Sequence, residues 1–224
     1  MERKKNKTEG FACVFPVMDY HTEMERLAVT AISPVMVSFV RERAAYEPDM
    51  AGIFSLDDLE RDILSLASAP EAMDRNLQEV FHKVQIWGGE HGRYIYVQGP
   101  AFDWLEIGPP YRRLVKACLE DGRSYGSLVR KAKAFNTAMQ DQGRRLGMSF
   151  ITKHMHFWSA AIRGDDALPI FDRIMASGLH LRPKWEHLEV YWHGMEDKAL
   201  KEGISISALE RQLFNRFRKE GKGF

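Results

Sequence analysis

The chain has 224 residues, of which 45% are apolar, so it can bury a core as one domain or as two closely packed lobes. Its formal net charge is +1, and its two cysteines exclude a four-cysteine zinc or iron–sulfur site. No apolar run approaches the roughly 18 residues of a membrane span, so we expect a cytoplasmic protein without membrane association.

The amino-terminal part of the chain is predicted to be helical with one short strand. A basic tail precedes an apolar run at residues 11–18, which we interpret as a buried extended segment and not as a signal peptide, because no cleavage site follows it. The elements predicted next are a helix over residues 21–45 that is interrupted at Ser33 and Pro34, a helix from a capping box at Ser55 to about Ala67, a helix from Pro70 to about Gln85, and a strand over residues 92–98.

The rest of the chain is predicted to be helical with connecting loops. In chain order, the predicted elements are a helix from Pro109 and Pro110 to about Leu119, a long basic helix from Ser124 to Gly143, a helix over residues 151–162 that ends at a polar break, a loop over residues 182–185, and a basic amphipathic helix over residues 208–219.

Charge is segregated along the chain. Residues 47–79 contain nine acidic and two basic residues, a net charge of −7, whereas residues 109–145 contain nine basic and three acidic residues, a net charge of +6. Phosphate contacts supply most sequence-independent DNA affinity, so the basic segment predicts a DNA-binding face. An ordinary solvated helix face is the alternative. The candidate DNA-binding residues in this segment are Arg130, Lys131, Arg144 and Arg145.

The pair Lys153 and Asp172 carries the most information about function. The two residues lie 19 positions apart, separated by a helix, a polar break and an apolar loop that contains Pro169. Asp172 is therefore predicted to lie at a helix N-terminus, where the helix dipole favours its ionised form. A surface lysine and a helix-capping aspartate are the alternative. In this layout, residues 147–176 resemble the helix-hairpin-helix DNA glycosylases, nearest to the 8-oxoguanine glycosylase branch.

The resemblance implies a role for each residue of the pair. In that family the lysine attacks the sugar and the aspartate stabilises the developing positive charge, and Lys153 and Asp172 match these positions. A lysine attacks only as a neutral amine, so burial or cationic neighbours must lower the pKa of Lys153. The candidate neighbours are His154, His156 and Arg144.

The hairpin departs from the family pattern. The family has Leu-Pro-Gly-x-Gly, whereas this chain has Leu-Gly-Met-Ser-Phe at residues 146–150. Gly147 and Ser149 are the candidates for phosphate contact in this hairpin. The difference indicates a divergent branch, such as the archaeal-type 8-oxoguanine glycosylases or the glycosylases used in phage defence.

The resemblance also implies a fold, a partner and a reaction. We expect a mainly α, two-lobed glycosylase fold with at most a small β element: a helical lobe over about residues 20–108, a hairpin-containing lobe over about residues 109–195, and a C-terminal helix within residues 196–224 that packs back. The expected partner is double-stranded DNA with a modified base, bound by a monomer without a cofactor.

The expected reaction is excision of that base to leave an abasic site, with strand nicking as a further step in bifunctional relatives. The base is either 8-oxoguanine, in base excision repair, or a phage-modified base such as glucosylated 5-hydroxymethylcytosine, in antiviral defence. A non-catalytic relative that only binds DNA is the alternative.

A flipped base requires an aromatic and apolar pocket, for which Trp87, Phe157 and Trp158 are the main candidates. Such side chains more often belong to the core. The further aromatic candidates are Trp185, Tyr191 and Trp192. The histidines at positions 154, 156, 180, 187 and 193 do not predict a metal site, because residues two apart on a helix point to different sides and no cysteine supports zinc binding.

Overall fold

The protein is mainly helical over the part of the chain that the structure describes. The computed structural model describes residues 31–69, 72–120 and 124–221. Its α-helices are α1 (Pro34–Arg43), α2 (Leu56–Ser68), α3 (Leu77–Trp87), α4 (Tyr94–Val97), α5 (Trp104–Glu120), α6 (Tyr125–Asp141), α7 (Met148–Arg163), α8 (Arg173–Gly178), α9 (Trp185–Glu202) and α10 (Ile206–Lys219). A π-helical turn precedes α3, and 3₁₀ turns precede α4 and follow α7. The prediction of a mainly α fold is confirmed.

Local signals in the sequence set several helix starts. At α2, the Asp58 amide donates to Ser55 Oγ over 3.1 Å and the Ser55 amide donates to Asp58 Oδ2 over 3.0 Å, which forms the predicted capping box. α1 begins at Pro34, the predicted point of interruption. The predicted apolar segment at residues 11–18, the part of the first predicted helix before residue 31, and Pro70 lie outside the described residues.

The predicted strand over residues 92–98 is wrong. A 3₁₀ turn leads directly into α4, and the Gln98 amide donates to the Tyr94 carbonyl over 3.1 Å at the end of this helix. The neighbouring side chains of Ile95 and Tyr96 are both buried, which is not the alternation of a strand. A strand here would also lack a partner for its backbone, because the described residues form no sheet.

α5 begins at Trp104, before the predicted start at Pro109 and Pro110, so both prolines lie inside the helix. Proline has no amide hydrogen, and Pro110 therefore leaves the Glu106 carbonyl without its helical donor. The side-chain amide of Gln142 donates to that carbonyl over 3.1 Å. This distant donor replaces the helical hydrogen bond that is lost at Pro110.

α7 lies at the centre of the packing. It contacts α2, α3 and α5, while α6 contacts α5 and α9. α10 lies against α8 and α9, so the last helix folds back on the region that follows α7. One continuous buried cluster extends from Met36 in α1 to Phe217 in α10. The predicted division after residue 195 falls inside α9, which is a single uninterrupted helix.

Candidate active site

Lys153 and Asp172 lie on neighbouring helices joined by one loop. Lys153 is in the second turn of α7, and Asp172 is the N-cap residue of α8. Asp172 Oδ1 accepts a hydrogen bond from the Met175 amide over 2.8 Å, which satisfies a free amide at the start of the helix. The prediction that Asp172 lies at a helix N-terminus is confirmed. We call the preceding segment, residues 167–171, the Asp172 loop.

α7 holds the Asp172 loop through three side chains. Ser159 Oγ accepts from the Leu168 amide over 2.8 Å, and Thr152 Oγ1 accepts from the Phe171 amide over 3.1 Å. His156 Nδ1 donates to the Leu168 carbonyl over 2.9 Å. The backbone of the loop is therefore bonded to the helix that carries the lysine.

α9 and α10 hold the other side of the Asp172 loop. The Tyr191 hydroxyl donates to the Ile170 carbonyl over 2.9 Å, and Trp192 Nε1 donates to the Pro169 carbonyl over 3.0 Å. Glu210 Oε1 accepts from the Ile170 amide over 2.7 Å. Because three helices hold this one loop, the carboxylate at its end has a fixed position relative to α7.

Lys153 is half-buried between aromatic side chains. Its Nζ lies 4.5 Å from the ring centroid of Phe150 and 5.5 Å from that of Trp87. Lys153 takes part in none of the ion pairs formed by the described residues. Burial lowers the pKa of Lys153, while the charge of Asp172 acts in the opposite direction. Relative to an exposed lysine, this site favours the neutral amine that a nucleophile requires.

Cationic neighbours do not cause the lowered pKa of Lys153. His154 is fully buried, and its Nδ1 lies 2.9 Å from the Tyr111 hydroxyl, with which it forms a hydrogen bond. Burial lowers the pKa of His154 to about 3, so this histidine is neutral at pH 7. Burial also lowers the pKa of His156. Loss of solvent around the ammonium group is therefore the cause.

Arg144 is a structural residue, which corrects its assignment to the DNA-binding face. Its side chain is fully buried. Its guanidinium donates to the backbone carbonyls of residues 95, 98, 100 and 101 over distances of 2.6 to 3.1 Å. A guanidinium with these partners cannot reach a DNA phosphate, and it instead ties α4 and the segment after it to the loop between α6 and α7.

Phe157 and Trp158 are core residues, which corrects their assignment to a base pocket. Both side chains are fully buried, and Trp158 Nε1 donates to the Tyr111 hydroxyl over 2.7 Å. Trp87 differs from them, because it is only partly buried and adjoins Lys153. Its ring meets that of Phe157 edge to face, with 5.1 Å between the centroids. Of the three predicted pocket residues, Trp87 is the one next to the lysine.

Two acids near the pair were missed by the sequence prediction. Burial raises the pKa of Glu210 to about 8, and the charges of Asp172 and Glu60 act in the same direction. Burial also raises the pKa of Glu60 and of Asp172, although the amide bond at the N-cap and the charge of Lys153 oppose the shift at Asp172. Glu210 is thus electrostatically coupled to Asp172 and to Glu60, and Asp172 is the acid of this group that also acts on Lys153.

A signal for Glu210 was present in the sequence. In the amphipathic pattern of α10, this glutamate lies four residues after Ile206 and three before Leu213, and both of these residues are buried. That spacing places Glu210 on the apolar face of the helix, where an acid needs a partner.

A groove of about 540 Å³ opens at the start of α7. Its lining includes Lys133, Arg145, Gly147 and Trp185, and also Lys184 with its ion-pair partner Glu186, 3.7 Å away. Both α7 and α9 begin here without a side-chain cap, so their free amides add to the positive potential. Among the other predicted DNA-binding residues, Arg130 and Lys131 are exposed on α6 and Ser149 is half-buried, but they do not line the groove.

No protein family, curated protein or solved structure matches the chain. Over residues 31–69, 72–120 and 124–221, no group of three or more His, Cys, Asp or Glu side chains could hold a metal ion. In the same ranges, no helix combines the length and the apolar character needed to cross a membrane. What the site can do therefore follows from its own side chains.

Proposed function

We propose that the protein is a DNA N-glycosylase that excises a modified base, with Lys153 as the nucleophile and Asp172 as a fixed anion. The observation that carries the proposal is a half-buried lysine, outside the ion pairs of the described residues, beside an N-cap aspartate on a loop held by three helices. The resemblance of residues 147–176 to helix-hairpin-helix glycosylases supports the same two roles.

Cleavage of an N-glycosidic bond develops positive charge on the sugar ring. A fixed carboxylate stabilises that charge, and a neutral amine captures C1′. In the proposed step, the Lys153 nitrogen bonds to C1′ while the bond to the base breaks. The base leaves with the bonding electrons and takes the proton that the attacking nitrogen loses. Opening of the sugar ring then gives a Schiff base, from which strand nicking can follow.

The groove at the start of α7 supports a DNA substrate. Lys133, Arg145 and Lys184 line it together with the free amides of two helices, a combination that suits the sugar-phosphate backbone. Trp87 stands beside Lys153 and offers an aromatic wall to a flipped base. DNA would then lie across the start of α7 with the target nucleotide turned towards the lysine.

Two substrates follow from the resemblance. 8-Oxoguanine is the substrate of the branch that the chain resembles most. Glucosylated 5-hydroxymethylcytosine is the substrate expected of a phage-defence enzyme, and the divergent hairpin favours such an enzyme. The sugar on this base requires room and hydrogen-bonding groups beyond the base itself. The second candidate function is a DNA-binding protein without catalysis, because the groove alone could hold a DNA backbone.

The direct test incubates the protein with two DNAs, a duplex that contains 8-oxoguanine and phage DNA that contains glucosylated 5-hydroxymethylcytosine. Mass spectrometry detects the released base, alkali cleavage detects abasic sites, and borohydride traps a Schiff base. Release from either DNA supports the glycosylase and selects the substrate. Tight binding with no release from either DNA supports the non-catalytic function.

Three variants test the assigned roles. Lys153→Ala should abolish borohydride trapping, and Asp172→Asn should slow excision by about 100-fold or more while DNA binding persists, because it removes a fixed charge from the transition state. Lys133→Ala is the matched control: it should weaken DNA binding but leave trapping intact when the protein is saturating. Normal excision by both of the first two variants would overturn the mechanism.

A further inference from the structure

Glu210 is a nearly buried acid that the proposed chemistry leaves without a role. Its side chain is 13% exposed. Its Oε1 accepts from the Ile170 amide over 2.7 Å, and its Oε2 lies 4.0 Å from His156 Nδ1, which already donates to the Leu168 carbonyl. The carboxyl group therefore contacts the middle of the Asp172 loop from the α10 side.

The surroundings of Glu210 oppose a negative charge. Burial acts most strongly against its ionisation, and the charges of Asp172 at the start of α8 and Glu60 on α2 act in the same direction. The hydrogen bond from the Ile170 amide and the charge of Arg211 on its own helix favour ionisation. Towards α7, the neighbouring titratable group is His156, whose own pKa is lowered by burial. Ionisation of Glu210 would place a further negative charge in a region shielded from water, where burial and the two neighbouring acids outweigh the Ile170 amide and the exposed Arg211.

We propose that Glu210 is a positioning residue, which holds the Asp172 loop as an uncharged carboxylic acid and loosens that loop when it ionises. The repulsion from Asp172 and Glu60 is relieved if the loop moves outward and water enters. The pKa of Glu210, raised to about 8, sets the pH range in which this change occurs. The effect on excision rests on the proposed function, whereas the effect on the loop does not.

Hydrogen exchange tests the loop without reference to activity. Peptides that cover the Asp172 loop are followed by mass spectrometry at several pH values, with rates corrected for intrinsic exchange and α2 peptides as the internal reference. In the wild type, loop protection should fall by about fivefold from pH 8 to pH 9, because the uncharged fraction of a group with a pKa of about 8 falls from about one half to about one eleventh. Glu210→Gln should keep its protection constant over this range. Constant protection in the wild type would overturn the proposal.

The pH profile of excision tests the consequence for catalysis. Single-turnover rates of the wild type should fall above about pH 8, and Glu210→Gln should lack this fall because its amide does not ionise. Arg211→Gln is a second variant that should shift the fall without abolishing it. Arg211 lowers the pKa of Glu210, so its removal should move the fall in rate to higher pH. A fall in Glu210→Gln like that of the wild type would overturn the proposal.

The two proposals fail in different ways. If the wild type excises neither base but its loop protection depends on Glu210 as described, the proposed function fails and the positioning role stands. If excision occurs and loop protection is independent of pH, the positioning role fails and the glycosylase stands. Loss of fold in a variant is recognised from the α2 reference peptides, and the wild-type pH series still decides the question.

Discussion

The ammonium groups of Lys83 and Lys153 have different neighbours: two carboxylates lie beside Lys83, and two aromatic rings lie beside Lys153. Lys83 lies on α3 within reach of the acid-rich α2, and its side chain is 2% exposed. Its Nζ lies 2.7 Å from Asp62 Oδ2 and 3.0 Å from Glu79 Oε1. Lys153 lies on α7, directly after the basic segment, and its Nζ faces the rings of Phe150 and Trp87.

The difference teaches that burial alone does not make a reactive lysine. Lys83 forms ion pairs with two carboxylates, whereas burial without such a partner lowers the pKa of Lys153. The segregation of charge along the chain contributes to this difference, because the acidic segment supplies both partners of Lys83. The region of Lys153 is thus suited to chemistry and the region of Lys83 to stability.

Removal of the Lys83 ammonium should give the largest effect on stability. Lys83→Met should lower the free energy of unfolding by about 3 kcal/mol, because it leaves the carboxylates of Asp62 and Glu79 without their cation. Urea denaturation at pH 7 measures the loss. Adding Asp62→Asn to this variant should recover part of it, since one unpaired charge is then removed. A loss below about 0.5 kcal/mol would mean that the pair contributes no more than a surface ion pair.

Charge reversal on α6 tests whether the basic segment that precedes Lys153 contributes to DNA binding. Arg130→Glu combined with Lys131→Glu should weaken binding to all DNA sequences, and the slope of its salt dependence should fall by about 0.9 for each DNA phosphate that these side chains neutralise in the wild type. Arg41→Glu combined with Arg43→Glu on α1 is the control, because it changes the net charge by the same amount at another place. Titrations at several salt concentrations measure both variants. Equal reductions in affinity in the two variants would remove α6 from the proposed DNA-binding face.

A carboxylate placed beside Lys153 should make it resemble Lys83. Phe150 lies one helical turn before Lys153 and contacts its ammonium, so Phe150→Glu offers an ion-pair partner. A rise of one unit in the pKa of Lys153 would reduce its neutral fraction about tenfold at pH 7. Phe150→Gln is the control, with nearly the same shape as the glutamate and no charge. Competitive acylation of Lys153 measures the neutral amine, and equal rates in the two variants would contradict the electrostatic explanation.

The sequence predicted the features that depend on neighbouring residues. The capping box of Ser55 and Asp58 and the N-cap position of Asp172 are local patterns, and both are present in the structure. Local pattern failed at residues 92–98, where the apparent alternation predicted a strand but the structure has a short helix with the adjacent residues Ile95 and Tyr96 both buried.

Features that depend on distant residues were not predicted from the sequence. Arg144 resembled the basic residues around it, but its acceptors are carbonyls 43 to 49 residues away. Glu210 bonds to the Ile170 amide, 40 residues away. Pro109 and Pro110 are accommodated within α5, where the side chain of Gln142 supplies a distant hydrogen bond. The partners of these residues are decided by packing between distant segments, which no local pattern encodes.

The smallest expected effect concerns the stability of Lys153→Met. Burial lowers the pKa of Lys153, so the folded protein binds this proton less readily than the unfolded chain, and the proton opposes folding at low pH. That cost disappears as pH rises from the lowered pKa towards the usual value of 10.5. Methionine removes the cost and also the cation–π contacts, so the net change at pH 7 should stay within about 1 kcal/mol.

The pH dependence of this small difference distinguishes the two lysines. The stability of Lys153→Met relative to the wild type should decline between about pH 7 and pH 10, because the wild type alone gains from losing the proton. Titrations shared by both proteins, such as that of Glu210, cancel in this difference. Urea denaturation at both pH values provides the measurement. If Lys153→Met is instead destabilised at pH 7 as much as Lys83→Met, Lys153 has a charge-stabilising partner and the contrast between the two regions fails.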